Sequence, residues 1–300
     1  MILPDLDELL ALRSAAHELN FQARRPILAR LQGEHRSAYR GSGLEFEEVR
    51  VYSPGDDARS IDWRVTARRG HLHTKVFGEE RERPVWLLAD LHAGLYFGSR
   101  YQLKSSLLLR SAGFLAWVAA LDGDRLGAVI ADGKNEPIIY PPRRREAGVL
   151  PVLEALVEMQ PKSPGAFNHI CLNSALTVIR PLLQPGSLVL ILSDFSGLDD
   201  DTENLLASIS LHCDCRLLWL IDPLEYKGLP DGTYHVGLFN RTWWLDGQSA
   251  SKEWQEKWQA RERILMDLSF RYNSSLIRIE TTNPVTETLP LFLREPLLKI

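Results

Sequence analysis

Three hundred residues with 45% hydrophobic content can bury one large core, alone or with a small appended lobe, which excludes a disordered chain. A formal net charge of -4 gives no global attraction to nucleic acid or anionic lipid, so either partner would need a local basic patch. Three cysteines, Cys171, Cys213 and Cys215, are too few and too poorly spaced for a disulfide framework or a four-thiolate zinc site, and they imply a reduced compartment.

The opening stretch, MILPDLDELLALRSA, carries Asp5, Asp7 and Glu8 where a signal peptide needs positive charge. No apolar run approaches the ~20 residues that span a bilayer. Both features predict a cytoplasmic protein with no direct membrane insertion. From residue 4 to about residue 31, Leu6, Leu9, Leu10, Ala16 and Leu19 recur at helical spacing, predicting an amphipathic helix ended or kinked by Pro26. Such a helix either covers its own core or offers a face to a partner. Residues 33–83 then read as short strands and turns, an antiparallel flap.

From residue 84 strands and helices alternate. Strands are expected at 85–91, 125–131, 136–140, 187–193 and 215–221, and helices at 101–121, 146–159, 170–183 and 199–211. Apolar strands separated by helices imply a sheet covered on both faces, the doubly wound α/β arrangement, with one antiparallel edge hairpin turning at Asp132-Gly133. After Asp222 come a hairpin over 233–245 around Phe239-Asn240, a helix over 251–272 carrying Trp254, Trp258, Ile264 and Leu265 on related turns, and a strand at 275–280. These complete the same domain, which gives a division into 1–83 and 84–300.

The densest local chemistry is GLEFEEVRVYSPGDDARSIDW at residues 43–63, continued by RVTARRGHLHTKVF to Phe77. Leu44, Phe46, Val49 and Val51 precede a Ser-Pro-Gly-Asp-Asp turn, and Arg59, Asp62, Arg64 and Arg68 follow closely around one Trp. This spacing predicts charges that satisfy one another beside a partly buried Trp63. Together with Asp56 and Asp57, the block is either an ion-pair network pinning the flap to the main domain or a docking face.

The run Gly43-Leu44-Glu45-Phe46, then Arg50, Tyr52, Pro54-Gly55-Asp56-Asp57, Arg59, Ile61-Asp62-Trp63, Ala67-Arg68 and Lys75 resembles the signature of the bacterial domain of unknown function fifty-eight. The resemblance extends from about residue 34 to about residue 220. It implies a mostly parallel sheet of von Willebrand factor A (vWA), Rossmann-like type, and a partnership with a MoxR-type AAA+ ATPase. Arg50, Tyr52, Asp56, Asp57, Arg59, Asp62, Trp63 and Arg68 are the motif residues it marks as candidates for partner binding.

Three expected strands finish on aspartate, at Asp90, Asp194 and Asp222. A doubly wound sheet gathers the carboxyl ends of its strands on one rim, where ligands bind, so Asp90 and Asp194 are expected to face each other there. The vWA resemblance implies a metal-ion-dependent adhesion site at that rim, in which an Asp-x-Ser-x-Ser run, a Thr and a second Asp hold a hard divalent cation. Here the run reads Asp90-Leu91-His92-Ala93-Gly94, and Asn168-His169 stands where the Thr is expected. Asp90 and Asp194 are therefore candidate ligands of a degenerate site, with Ser193, His92, Asn168, His169 and Ser196 as candidate helpers. A site short of hydroxyls and furnished with imidazole suits magnesium poorly, so no cofactor is expected. Either the histidines simply fill the rim, or Asp90, His92, His169 and Asp194 form a mixed set suited to zinc or manganese.

No Gly-x-Ser-x-Gly elbow, Walker lysine loop, His-Glu-x-x-His helix or dinucleotide glycine fingerprint occurs. Lys104, near the start of the long helix, reads as a surface lysine, and Arg143-Arg144-Arg145 as a solvated loop. The expectation is a non-catalytic, vWA-like adaptor that binds a MoxR-type AAA+ ATPase to remodel or activate a client protein or complex. Nucleic acid is not an expected partner. The alternative is a metal-dependent hydrolase acting through Asp90, His92, His169 and Asp194.

Overall fold

The computed structural model describes residues 3–17, 44–53, 58–79, 84–165, 170–238 and 241–294. The chain falls into two compact units, one of Met1–Glu34 with Arg83–Ile300 and one of His35–Glu82. The first helix, α1 (Leu6–His17), begins where Asp5 caps the Glu8 amide at 2.9 Å. It belongs to the larger unit, which corrects the expected grouping of the N-terminal helix with the flap in 1–83, while the smaller unit still ends at Glu82. Leu9 and Ala16 bury its inner face, and the indole Nε1 of Trp117 donates to the Leu9 carbonyl at 3.0 Å. An apolar stripe committed to the core in this way is not available to a partner. The rest of the expected helix, with Leu19 and Pro26, lies outside the described residues.

In the smaller unit β1 (Leu44–Val51) and β2 (His73–Glu79) pair antiparallel, with α2 (Trp63–Arg69) between them. Asp62 caps α2, accepting from the Arg64 and Val65 amides at 3.0 and 3.1 Å. Gly70 ends the helix at φ 74, a left-handed position that glycine adopts without a Cβ penalty. Asp62 thus has an architectural role inside the family motif. Asp62→Ala is expected to cost about 1 kcal/mol of local stability, read as faster amide exchange across residues 64–69 with exchange in the larger unit unchanged.

The larger unit is built on six strands: β3 (Pro84–Asp90), β4 (Arg125–Ala131), β5 (Ile138–Arg144), β6 (Leu188–Ser193), β7 (Asp214–Ile221) and, after the hairpin β8 (Thr233–Leu238) and β9 (Arg241–Asp246), β10 (Ser275–Glu280). Their order is β10-β7-β6-β3-β4-β5, every pairing parallel except β4 with β5. The helices are α3 (Lys104–Leu121), α4 (Glu146–Met159), α5 (Ile170–Ile179), α6 (Asp200–Ser210), α7 (Pro223–Lys227), α8 (Gly247–Arg271) and α9 (Val285–Arg294).

Strand side chains alternate between two cores, as the period of two requires. Val85, Leu87 and Ala89 join α1, α3, α4 and α9 on one face, and Trp86 and Leu88 join α5, α6 and α8 on the other. Burial on both sides makes these strands apolar throughout. Among the aromatic positions of the long helix, Trp258 stacks on Trp219 with ring centroids 4.5 Å apart, and Leu265 is buried. Ile264 departs from the expected stripe at 48% exposure. The triple arginine is also corrected: Arg143 and Arg144 pair with Leu126 and Arg125 as the end of edge strand β5, not as a loop. Residues 239–240 of the expected hairpin turn lie outside the described residues.

Candidate functional site

The order of crossovers reverses between β3 and β6, and in an open α/β sheet the crevice forms at the carboxyl ends of such a pair. Asp90 ends β3, and Asp194 follows directly on β6. With His92 they form a buried cluster in which one ligand-type atom from each residue lies within 4.8 Å of the other two. The expected meeting of the two aspartates is therefore observed. Asn168 and His169 lie outside the described residues.

Local backbone chemistry fixes each member. The Ser193 hydroxyl donates to Asp90 Oδ2 at 2.6 Å and accepts the Phe195 amide at 2.9 Å. Phe195 is held at φ 50, a left-handed turn that ends the extended run on Asp194. Asp194 Oδ1 takes the Ser196 amide at 3.1 Å and faces His92 Nε2 at 3.4 Å. Ser196 helps through its backbone N–H. The Asp194 carbonyl accepts from Trp219 Nε1 at 3.1 Å. On the imidazole, Nδ1 accepts the Gly94 amide at 3.1 Å, which places the ring proton on Nε2, facing Asp194.

The residue that completes the site is Lys104, the first of α3. It is not a surface lysine: it is 3% exposed, and its Nζ donates to Asp194 Oδ2 at 2.6 Å and to Glu225 Oε1 at 2.9 Å. The Phe97 ring centroid lies 5.9 Å from the same nitrogen. Glu225 is fixed in turn, because its other oxygen accepts the Asp222 amide at 2.8 Å as the reciprocal half of a capping box on α7. Asp222 takes the Ser99 amide, the Thr281 hydroxyl and the Leu224 amide at 2.8, 2.6 and 3.0 Å. These contacts tie the carboxyl ends of β7 and β10 to the loop before α3.

Electrostatics divide the two aspartates. Burial pushes Asp194 up, but the Lys104 ammonium and His92 outweigh it and hold the carboxyl well below the usual range. Burial also dominates at Asp90, only partly opposed by His92, Cys171 and Ser193, and there the carboxyl is raised. Burial lowers Lys104, yet Asp194 and Glu225 prevail and keep it charged. At His92 burial favours the neutral ring and Asp194 with Asp90 favours the imidazolium, the net shift being upward. The Gly94 amide at Nδ1 is compatible only with the neutral ring, so a second proton would have to displace it. Burial beside Asp90 drives the Cys171 thiol far above its ordinary value, which leaves it inert as a nucleophile.

The donors that the described residues supply do not fit a hard divalent cation. Both Asp194 oxygens and Asp90 Oδ2 are engaged within the protein, as is His92 Nδ1. Among the described residues Asp90 Oδ1 is a buried oxygen left without a hydrogen bond, and they offer that one ligand where magnesium requires an octahedron completed by several waters. Asp90, His92, Asp194 and Lys104 are all buried, which excludes that water.

The family motif lies in the other unit. Tyr52 N–H donates to the Leu72 carbonyl at 2.8 Å, and the Asp62 amide to that of His73 at 2.8 Å. Arg50 pairs with Thr74 in the ribbon. Arg59 and Arg68 are exposed. Trp63 is 66% exposed, which corrects the expectation that it is partly buried. As the first residue of α2 it projects from a helix end whose cap Asp62 supplies. Asp56 and Asp57 lie outside the described residues.

Lys104, Glu225 and Trp219 were not legible as site residues. The Asp222-to-Glu225 spacing is a capping-box signal, and α3, apolar on every side, is buried over most of its length, its first residue included. In a doubly wound sheet that first residue lies at the carboxyl rim.

A family model described as Protein of unknown function DUF58 matches residues 48–257. The uncharacterized protein Rv1480 of Mycobacterium tuberculosis is 29% identical over 231 residues, covering 77% of this chain and 71% of that protein. The uncharacterized protein YeaD of Bacillus subtilis is 37% identical over 60 residues, 20% of this chain and 15% of its own. Two solved structures resemble the chain: the conserved hypothetical protein BatB from Bacteroides thetaiotaomicron, 10% identical with TM-score 0.41 over 70% of this chain and 96% of that one, and an aerotolerance-related membrane protein from Bacteroides fragilis, 11% identical with TM-score 0.43 over 73% and 100%. Among the described residues no helix is long and apolar enough to cross a membrane. With the motif at residues 43–75 and a family match spanning most of the two units, the chain belongs to the DUF58 family.

Proposed function

We propose that this chain is a non-catalytic, vWA-like adaptor that works in the cytoplasm, binds a MoxR-type AAA+ ATPase and passes ATP-driven motion to a client protein or complex. The observation that carries this reading is the exposure of the family motif's Trp63 on a short capped helix, with Arg59 and Arg68 also exposed. Trp and Arg dominate the energetics of protein interfaces, and an exposed tryptophan adds nothing to its own core. The vWA component of the reading draws on the mostly parallel strand order, the antiparallel edge β5 and the aspartates at the switch point. Against the hydrolase alternative stands the rim itself, where acid, imidazole and ammonium groups are engaged with one another.

The test is co-expression with a MoxR-type AAA+ ATPase from the same organism, followed by size-exclusion chromatography. The expected result is a co-eluting complex that Trp63→Ala weakens by about 30-fold or more, the effect of losing an interface anchor of ~2 kcal/mol. Circular dichroism of the variant should match the parent. Separate elution of the two proteins, or full binding by a folded Trp63→Ala, defeats the reading.

A further inference from the structure

We infer that Lys104 is a built-in cation that takes the place of a metal ion at the switch point, so that the rim is permanently closed and takes up neither magnesium nor manganese. The cage around its ammonium is assembled from three separate segments. Asp194 comes from the end of β6 at 2.6 Å, Glu225 from α7 at 2.9 Å, and Phe97 from the loop before α3, with its ring centroid 5.9 Å away. An aromatic wall suits an ammonium, through its attraction to the ring face, and is no ligand for a hard metal ion.

The two carboxylates are also held by groups other than the lysine. Asp194 is oriented by the Ser196 amide, and Glu225 by the Asp222 amide, itself anchored through Ser99, Thr281 and Leu224. A pair of acids positioned by backbone amides around one point is a cation site, and this chain fills it from within. The lysine does so from the least favourable place on a helix, the N-terminus, where the macrodipole repels positive charge. α3 opens on Leu103 with no side-chain cap, so the two acids are what hold the ammonium there. A second ion of higher charge beside that ammonium would be repelled at close range in a buried setting.

One consequence rests on the adaptor reading: contact with a partner at this rim would not use a metal-bridged carboxylate. The test on the isolated chain does not depend on that reading. Purified protein is titrated with Mn²⁺ and with Mg²⁺ by isothermal calorimetry, and melted with and without EDTA. The expected result is no saturable heat and a Tm shift under about 1 °C at millimolar ion, since only an ion that binds the native state raises Tm.

Lys104→Ala leaves Asp194 and Glu225 without their cation. It is expected to melt lower than the parent and to recover part of the loss with Mn²⁺ or Mg²⁺, but not with NaCl of equal ionic strength. Lys104→Arg retains the charge, should stay indifferent to divalent ions, and serves if the alanine variant does not fold. Saturable Mn²⁺ binding by the unmodified protein, or a drop in its Tm on adding EDTA, overturns the inference. So does a Lys104→Ala protein that melts like the parent.

Discussion

Asp194→Ala should lower folding stability by about 3–5 kcal/mol, the cost of removing one side of a buried ion pair. The change strands Lys104 with Glu225 alone and takes away the acceptor for the Ser196 amide and His92. Asp90→Asn, a few ångströms away, should be neutral or stabilising at pH 7. Burial raises Asp90, so ionising it works against the fold, whereas Asp194 is held well below the usual range and its ionised form supports the fold.

The pH dependences follow from those signs. The Asp194 contribution is fully present above its unfolded value of about 3.9 and is lost as pH falls through the lower folded value. The Asp90 penalty is absent below about 3.9, grows as pH rises toward the raised folded value, and is constant above it. Urea denaturation from pH 3 to pH 8 should therefore show the deficit of Asp194→Ala shrinking in acid. Any gain from Asp90→Asn should appear only above about pH 4. A triple change, Lys104→Met with Asp194→Asn and Glu225→Gln, removes all three charges together and should recover most of the loss, because the penalty lies in the unpaired charge. A deficit under about 1 kcal/mol for Asp194→Ala at pH 7 would place the pair among surface-like ion pairs of little worth, contrary to its burial.

The fold was legible because the two central strands, β3 and β6, carry unbroken apolar runs. Val85 to Ala89 and Leu188 to Leu192 carry no polar residue, which happens only when both faces of a sheet are covered. The pairing of Asp90 with Asp194 followed from strand order alone. Lys104 was misread because a charged residue opening a helix is ordinarily solvated, and the partners that bury it come from positions 194 and 225, far along the chain. Trp63 was misread for a related reason. A tryptophan among alternating charges reads as a core residue, and its exposure depends on where α2 starts, which the Asp62 cap decides. The end of β5 was missed because Pro141 and Pro142 argue against a strand. They are tolerated here because β5 is an edge strand and because its ladder with β4 is interrupted by a register shift between Leu126 and Ala128, where the two prolines fall.

Trp219→Ala is the second change with a large expected effect, about 3–5 kcal/mol from the cavity left by a buried aromatic ring. Trp219 is fully buried in β7, stacked on Trp258 at 4.5 Å with the Arg278 guanidinium 5.5 Å over its ring. It also donates its indole hydrogen to the Asp194 carbonyl at 3.1 Å. The two roles separate in variants. Trp219→Phe keeps an aromatic ring for Trp258 but leaves that carbonyl without its donor, and should cost about 1–3 kcal/mol. Trp258→Ala removes the stacked partner and leaves the carbonyl satisfied. Because the rings touch, Trp219→Ala and Trp258→Ala should not add: a coupling of about 0.5–3 kcal/mol is expected between contacting residues. A double-mutant cycle in urea measures it. Strict additivity would mean that α8 and the sheet stabilise themselves independently, and the aromatic stack would then have no part in holding the carboxyl end of β6 in place.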